Sequence, residues 1–214
     1  MSRTQISTHP GETELPERYG NLDAAREAIA DCHRCPLYQS ATQAVFGEGQ
    51  AGADLLFVGE QPGDREDIEG RPFVGPAGKL FDTALEEAGI ARDRAYVTNA
   101  VKHFKFVPRG KKRLHQKPNA GEISACRFWL NIERDLVQPK VVVALGATAL
   151  QALLGRSTTI SSLRGQPARL DDGTTLVVTI HPSALLRMPD RERAHEEQRR
   201  FVADLRLARN LALH

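Results

Sequence analysis

The chain is short of several things, and each shortage excludes a class of protein. Only 3 cysteines occur in 214 residues, too few for the disulfide framework of a small secreted domain, so a reducing, cytoplasmic setting is expected. No apolar run approaches the roughly 20 residues that a membrane-spanning helix requires, and no membrane partner is expected. The N-terminal stretch MSRTQISTHPGETELPERYG has no hydrophobic signal core. Residues 1–20 therefore read as a loose polar tail, and residues 21–214 as one domain. The formal net charge is only +2, with 29 Lys and Arg against 27 Asp and Glu. A global positive field is excluded, so any affinity for nucleic acid has to come from local clustering. Nucleotide-binding loops are missing as well. No GxGxxG follows a strand-like run, and GPAGK (Gly75 to Lys79) lacks the first glycine and the trailing Ser or Thr of a phosphate-binding loop.

What is present is a core-forming α/β pattern. At 41% hydrophobic residues the chain can bury one large core. Four short β-type runs punctuate it: Asp54 to Gly59, Ala95 to Asn99, Lys140 to Gly146 and Thr175 to His181. Three are nearly continuous aliphatic runs, as in strands covered on both faces. Helical patterns lie between them. Residues 76–88 end at Gly89, residues 147–154 end at Gly155, and a charged helix covers about 190–211. Residues 120–137 start behind Asn119 with Glu122 three positions on, the spacing of a capping box. The alternation predicts a three-layer α/β/α sandwich with a central four-stranded parallel sheet.

Ligands of such sheets bind beyond the carboxyl ends of the strands. The residues expected there are Glu60-Gln61-Pro62-Gly63, Asn99, Gly146 and His181-Pro182-Ser183. An acid, an amide and a histidine converging on one edge make a candidate site, although singly each reads as a turn or a strand end. The stretch PRGKKRLHQKP (residues 108–118) sets His115 in a basic loop. Such a run is commonly just a solvated surface; the alternative is a loop that grips a polyanion while His115 acts on it. Cys32-His33-Arg34-Cys35 is a CxxC pair, which could be a redox pair or two buried thiols. With Cys126 and His103 it could instead complete a four-ligand set for zinc or an iron–sulfur cluster. His33 is a rival fourth ligand, and His103 is preferred because His33 is expected to point outward.

Together these residues resemble the iron–sulfur branch of the uracil-DNA glycosylase superfamily, over roughly residues 30–210. Family-4 members carry a CxxC, GEAPG after the first strand, an ITN-like second strand and a terminal HPS, in this order. Two departures, GEQPG and the inserted basic loop with R-x-H, resemble the UdgX-type subfamily, whose members attach covalently to uracil-containing DNA. VKHFKF (Val101 to Phe106) has histidine where family-4 enzymes have a cluster cysteine. The resemblance implies a 4Fe–4S cluster on Cys32, Cys35, His103 and Cys126. It implies that Asn99 reads the flipped-out uracil, that Phe73 stacks on it, and that His181 reaches its O2. Glu60 and Gln61 would sit beside the sugar, with Asp64 and Asp67 shaping that wall. Arg113 would orient the loop and His115 would be the covalent residue. Lys102, Gly59 and Ser183 join the substrate-binding set. The partner implied is uracil-containing DNA, single-stranded or duplex, bound by a monomer associated with the nucleoid.

The chemistry asks for such groups. A base must leave the stack before it can be processed, and a mismatched amide would leave buried polar atoms unpaired at about 1–3 kcal/mol each. A donor from His181 would stabilise the departing uracil anion, and Glu60 would steady the sugar cation or accept a proton. An imidazole held against C1′, kept neutral by Lys111, Lys112 and Arg113, would outcompete water. Two other readings compete: a turnover glycosylase in which His115 only touches phosphate, and a non-catalytic metal-containing DNA-binding module.

Overall fold

A computed structural model describes residues 18–213 of the protein. The expected N-terminal tail lies almost wholly outside the described residues. Four parallel strands form the centre: β1 (Leu55–Gly59), β2 (Ala95–Asn99), β5 (Val141–Leu145) and β7 (Thr175–Thr179). The order across the sheet is β2-β1-β5-β7-β6, where β6 (Ala168–Arg169) is a short antiparallel edge that the sequence pattern did not announce. Because successive side chains alternate, each strand feeds two cores. Leu56, Val58, Val142, Ala144 and Val178 pack under α1 (Leu22–Ile29), α4 (Ala120–Val137) and α5 (Ala147–Leu154), around Trp129. Leu55, Phe57, Val97, Val143 and Val177 pack under α3 (Pro76–Ala88) and α7 (Arg191–Ala212), around Phe81 and Phe201. The expected three-layer sandwich is the observed one.

The helix boundaries follow their signals. α3 stops at Gly89 (φ 72°) and α5 at Gly155 (φ 70°), the left-handed conformation that glycine adopts without a Cβ clash. The Asn119 side chain accepts from the Glu122 N–H, while the Glu122 carboxylate accepts from the Asn119 N–H, so the capping box opens α4 as expected. Two short helices, α2 (Asp64–Glu69) and α6 (Pro182–Leu186), follow β1 and β7 directly.

The basic stretch is not a loop. It folds as an antiparallel hairpin of β3 (Phe106–Arg109) and β4 (Lys112–His115), turning at Gly110 (φ 59°). Pro108 is tolerated because a two-stranded ribbon has free edges.

The connections decide where a ligand can sit. From β1 the chain crosses through α3 to β2 on one side; from β5 it crosses through α5 to β7 on the other. β1 and β5 are neighbours, so the loops after them diverge and leave a crevice at the switch point.

Candidate active site

That crevice is a cavity of about 310 Å³, walled by Glu60, Gln61, Phe73, Asn99, His115 and His181. Asp64, Ser183 and Arg187 complete its rim. Glu60 follows β1, Asn99 closes β2, and His181 caps the helix after β7, so the sheet edge brings together groups far apart in sequence. The hairpin hangs over this edge and delivers His115.

Glu60 is held at both oxygens. Thr148, in the first turn of α5, donates from Oγ1 to Oε2 at 2.6 Å. His115 Nε2 lies 3.1 Å from Oε1. Burial pushes the Glu60 carboxyl up, but the hydrogen bonds from His115 and Thr148 and the nearby imidazoles outweigh it, so Glu60 lies below its ordinary range. The ion-pair partner of His115 is thus this carboxylate, a contact the sequence did not announce. Burial, opposed by Glu60, pushes His181 down to about 4, so it is neutral at pH 7. The Ser183 N–H donates to His181 Nδ1 at 3.2 Å, which leaves the proton on Nε2. His181 is thus a neutral N–H donor with a fixed tautomer.

Phe73 and Asn99 meet through an absence. A Cβ at Gly59 would run into Asn99 Oδ1 and the Phe73 ring. One at Gly78, in α3, would strike the Phe73 backbone, so the GPAGK glycine serves packing and not phosphate. Phe73 has φ 59°, a left-handed conformation rare for a bulky residue. Its ring sits between Phe81 (centroids 5.1 Å apart) and His181 (5.9 Å). Strain of this kind, about 1–3 kcal/mol, persists where the surroundings over-determine it.

Several expected site residues also hold the walls in place. Gln61 lines the cavity, yet its amide donates to the Lys105 and Gln116 carbonyls and accepts from the Lys105 N–H, fastening both feet of the hairpin. Arg113 does not line the cavity. It binds Asp64 Oδ1 (2.6 Å) and the buried Asp67 Oδ2 (2.5 Å), and lies over Phe104 and Phe106. Asp67 also accepts from Thr42. Arg113 and Asp67 therefore anchor the hairpin, as does Gln61, and Gly59 makes room. Lys102, expected in the substrate-binding set, is fully buried with its ammonium on Glu133 and does not line the crevice.

Two participants escaped the sequence reading. Thr148 carries no signal in ALGATAL that would single it out. Glu66, hidden in the charged run DREDIE, accepts from the Gly63 N–H (3.1 Å) and the Gly75 N–H (2.8 Å), tying two walls of the crevice together.

The three cysteines are free and buried beside α4. The Trp129 indole N–H donates to Cys32 Sγ at 3.0 Å, and the Lys102 backbone N–H to Cys126 Sγ at 3.1 Å. His103 is buried, and its Nδ1 has no hydrogen-bond partner among the described residues. His33, by contrast, is exposed and packs its ring on Tyr38. Among the described residues, no three Cys, His, Asp or Glu side chains close around a point where a single ion would bind. The orphaned imidazole nitrogen and the N–H donors aimed at sulfur are compatible with a group held by Cys and His.

Residues 46–206 match the family described as the Uracil DNA glycosylase superfamily. The chain is 36% identical over 190 residues to the type-4 uracil-DNA glycosylase of Thermotoga maritima, spanning 88% of this chain and 93% of that one. It is 34% identical over 193 residues to the type-4 enzyme of Sulfurisphaera tokodaii (86% and 84% covered). To the type-4 enzyme of Pyrobaculum aerophilum it is 35% identical over 176 residues (79% and 86%).

Proposed function

The chain belongs to the uracil DNA glycosylase superfamily, and from that membership and the crevice we propose that it excises uracil from DNA by cleaving the N-glycosidic bond. One observation carries the reading: an aromatic face, a base-reading amide, a neutral imidazole donor and a carboxylate converge in one cavity at the sheet's switch point. A flipped-out uracil stacks on Phe73 and offers its pairing edge to Asn99. Bond cleavage leaves negative charge on uracil O2 and positive charge on the sugar. His181, with its proton fixed on Nε2, donates to O2 without giving the proton up. Glu60, ionised through its hydrogen bonds, faces the sugar cation and can align water for attack at C1′. The type-4 relatives are named uracil-DNA glycosylases, which fits this turnover chemistry.

A second reading is favoured by one specific contact. His115 is half exposed in the cavity, 3.1 Å from Glu60, on a hairpin fastened by Gln61 and Arg113. Once uracil has left with the glycosidic electron pair, the neutral imidazole, carrying its proton on Nδ1, bonds to C1′ through the Nε2 lone pair, and the imidazolium so formed gives up the Nδ1 proton to solvent. The adduct has no activated leaving group, so the protein is consumed. The cysteines with His103 would hold a 4Fe–4S cluster, whose role is structural, pinning the segment around Cys32 to α4.

The test is a uracil-containing oligonucleotide, single-stranded or duplex, assayed for free uracil and run on a denaturing gel. Release of uracil, reduced together with any adduct in Asn99→Ala, is expected. A salt-dependent complex with no released base would leave only a binding module. Many equivalents of uracil with no heat-stable adduct would select turnover; one equivalent with an adduct would select capture.

A further inference from the structure

Beneath the base-reading end of β2 lies a charged pair that the crevice chemistry does not use. Lys102 and Glu133 have side-chain exposures of 0% and 0%, and their head groups form an ion pair. Lys102 Nζ also donates to Thr98 Oγ1 (2.6 Å) and to the Asn99 carbonyl oxygen (2.8 Å). The Glu133 carboxylate accepts from the Gly47 N–H (2.7 Å), Thr98 Oγ1 (2.8 Å) and Tyr96 Oη (3.3 Å). Every partner is satisfied, yet stability alone does not account for the pair, because apolar residues of similar volume often replace a buried ion pair at no loss.

What the pair fixes is one peptide. The group that follows Asn99 is gripped at both ends: the Ala100 N–H donates to the Gly59 carbonyl at 2.9 Å, and the Asn99 carbonyl accepts from Lys102. Holding that plane sets the Asn99 backbone and the direction from which its amide enters the cavity. Asn99 Oδ1 lies close to the bare Gly59, so there is little room for it to swing. Satisfied polar networks of this kind fix one geometry where an apolar core would allow several.

We propose that Lys102 and Glu133 are positioning residues for base recognition: they hold the Asn99 peptide so that the amide presents one fixed donor–acceptor face to the base. This rests on the uracil-excision reading. Lys102 acts through Asn99 and Glu133 acts through Lys102, from the helix that also carries Cys126.

Lys102→Met alone would strand the Glu133 charge, so the variant to use is Lys102→Met/Glu133→Leu, which removes both charges and leaves the Lys102 backbone N–H on Cys126 in place. Thermal melting of the purified full chain confirms folding. Single-turnover uracil release and inhibition by free uracil are then measured in wild type, in this variant, in Asn99→Ala, and in the three combined. The paired variant should release uracil roughly tenfold more slowly and be inhibited by free uracil about tenfold more weakly. The oligonucleotide concentration for half-maximal rate should change little, since the backbone grip is untouched. Adding Asn99→Ala should cost almost nothing further, because both changes remove one function. A paired variant with the rate and uracil inhibition of wild type would overturn the proposal, as would strictly additive effects with Asn99→Ala. If wild type itself releases no uracil, the excision reading fails instead, and the two failures are told apart by that first measurement. If the paired variant does not fold, Lys102→Met/Glu133→Gln, which also removes both charges and the grip on the Asn99 carbonyl, enters the same cycle with Asn99→Ala, and additivity there overturns the proposal equally.

Discussion

Replacing Thr148 by valine keeps the shape of a buried side chain and deletes one hydrogen bond, the 2.6 Å donation to Glu60 Oε2. A hydrogen bond to a charged group contributes about 1.5–3 kcal/mol. Glu60 is 24% exposed, so water partly replaces the hydroxyl and the lower end applies. Loss of that bond disfavours the ionised form, so the Glu60 pKa should rise. The sign follows from the ionised form being the active one. Wild-type Glu60 lies below its ordinary range and keeps its charge as the pH falls; without Thr148 it protonates at higher pH. The acid limb of the single-turnover rate of uracil release should therefore move to higher pH, with little loss at pH 7. His181, at about 4, feels the Glu60 charge, but the Thr148 hydroxyl donates to Glu60, so the direct shift falls on Glu60. The assay is release of free uracil under excess protein from about pH 4 to pH 8, and Thr148→Ser should restore the wild-type profile. An unmoved acid limb, or an equal loss at every pH, would refute the assignment of Glu60 as the ionising group that Thr148 holds.

Three further outcomes are expected. His115→Ala removes the imidazole but leaves Glu60, Asn99 and His181, so any heat-stable adduct on a denaturing gel should vanish while uracil release continues; an adduct as abundant as in wild type would place the covalent residue elsewhere. Gly59→Ala drives a Cβ into Asn99 and the Phe73 ring, and should reduce uracil release at least tenfold in a protein that still melts cooperatively; wild-type activity would mean that the two groups do not need this close approach. The purified protein should be brown, with iron and acid-labile sulfide in equal amounts by elemental and colorimetric analysis, and His103→Ala should lose metal where His103→Cys retains it; a colourless protein holding one zinc would remove the cluster.

The sequence by itself determined the layers, most helix ends and the strand-end chemistry. Aliphatic runs bounded by Gly89, Asn119 and Gly155 admit few other folds, because both the runs and their stop signals are local. The same locality made Glu60, Asn99 and His181 legible, since each sits at the end of a strand and the sheet aligns those ends. Only the tertiary structure decided what faces what. Lys102 and Glu133 are 31 residues apart, and no periodicity reveals that their charges meet in the core. Thr148 looks like any helix threonine until the diverging loops after β1 and β5 bring it onto Glu60. Arg113 reads in the string as the residue that orients the loop, and Gln61 and Asp67 as a wall beside the sugar; only in space do all three meet the hairpin that delivers His115. Packing turns a list of polar residues into those that touch a ligand and those that hold them still, and packing depends on contacts between distant segments that no local pattern records.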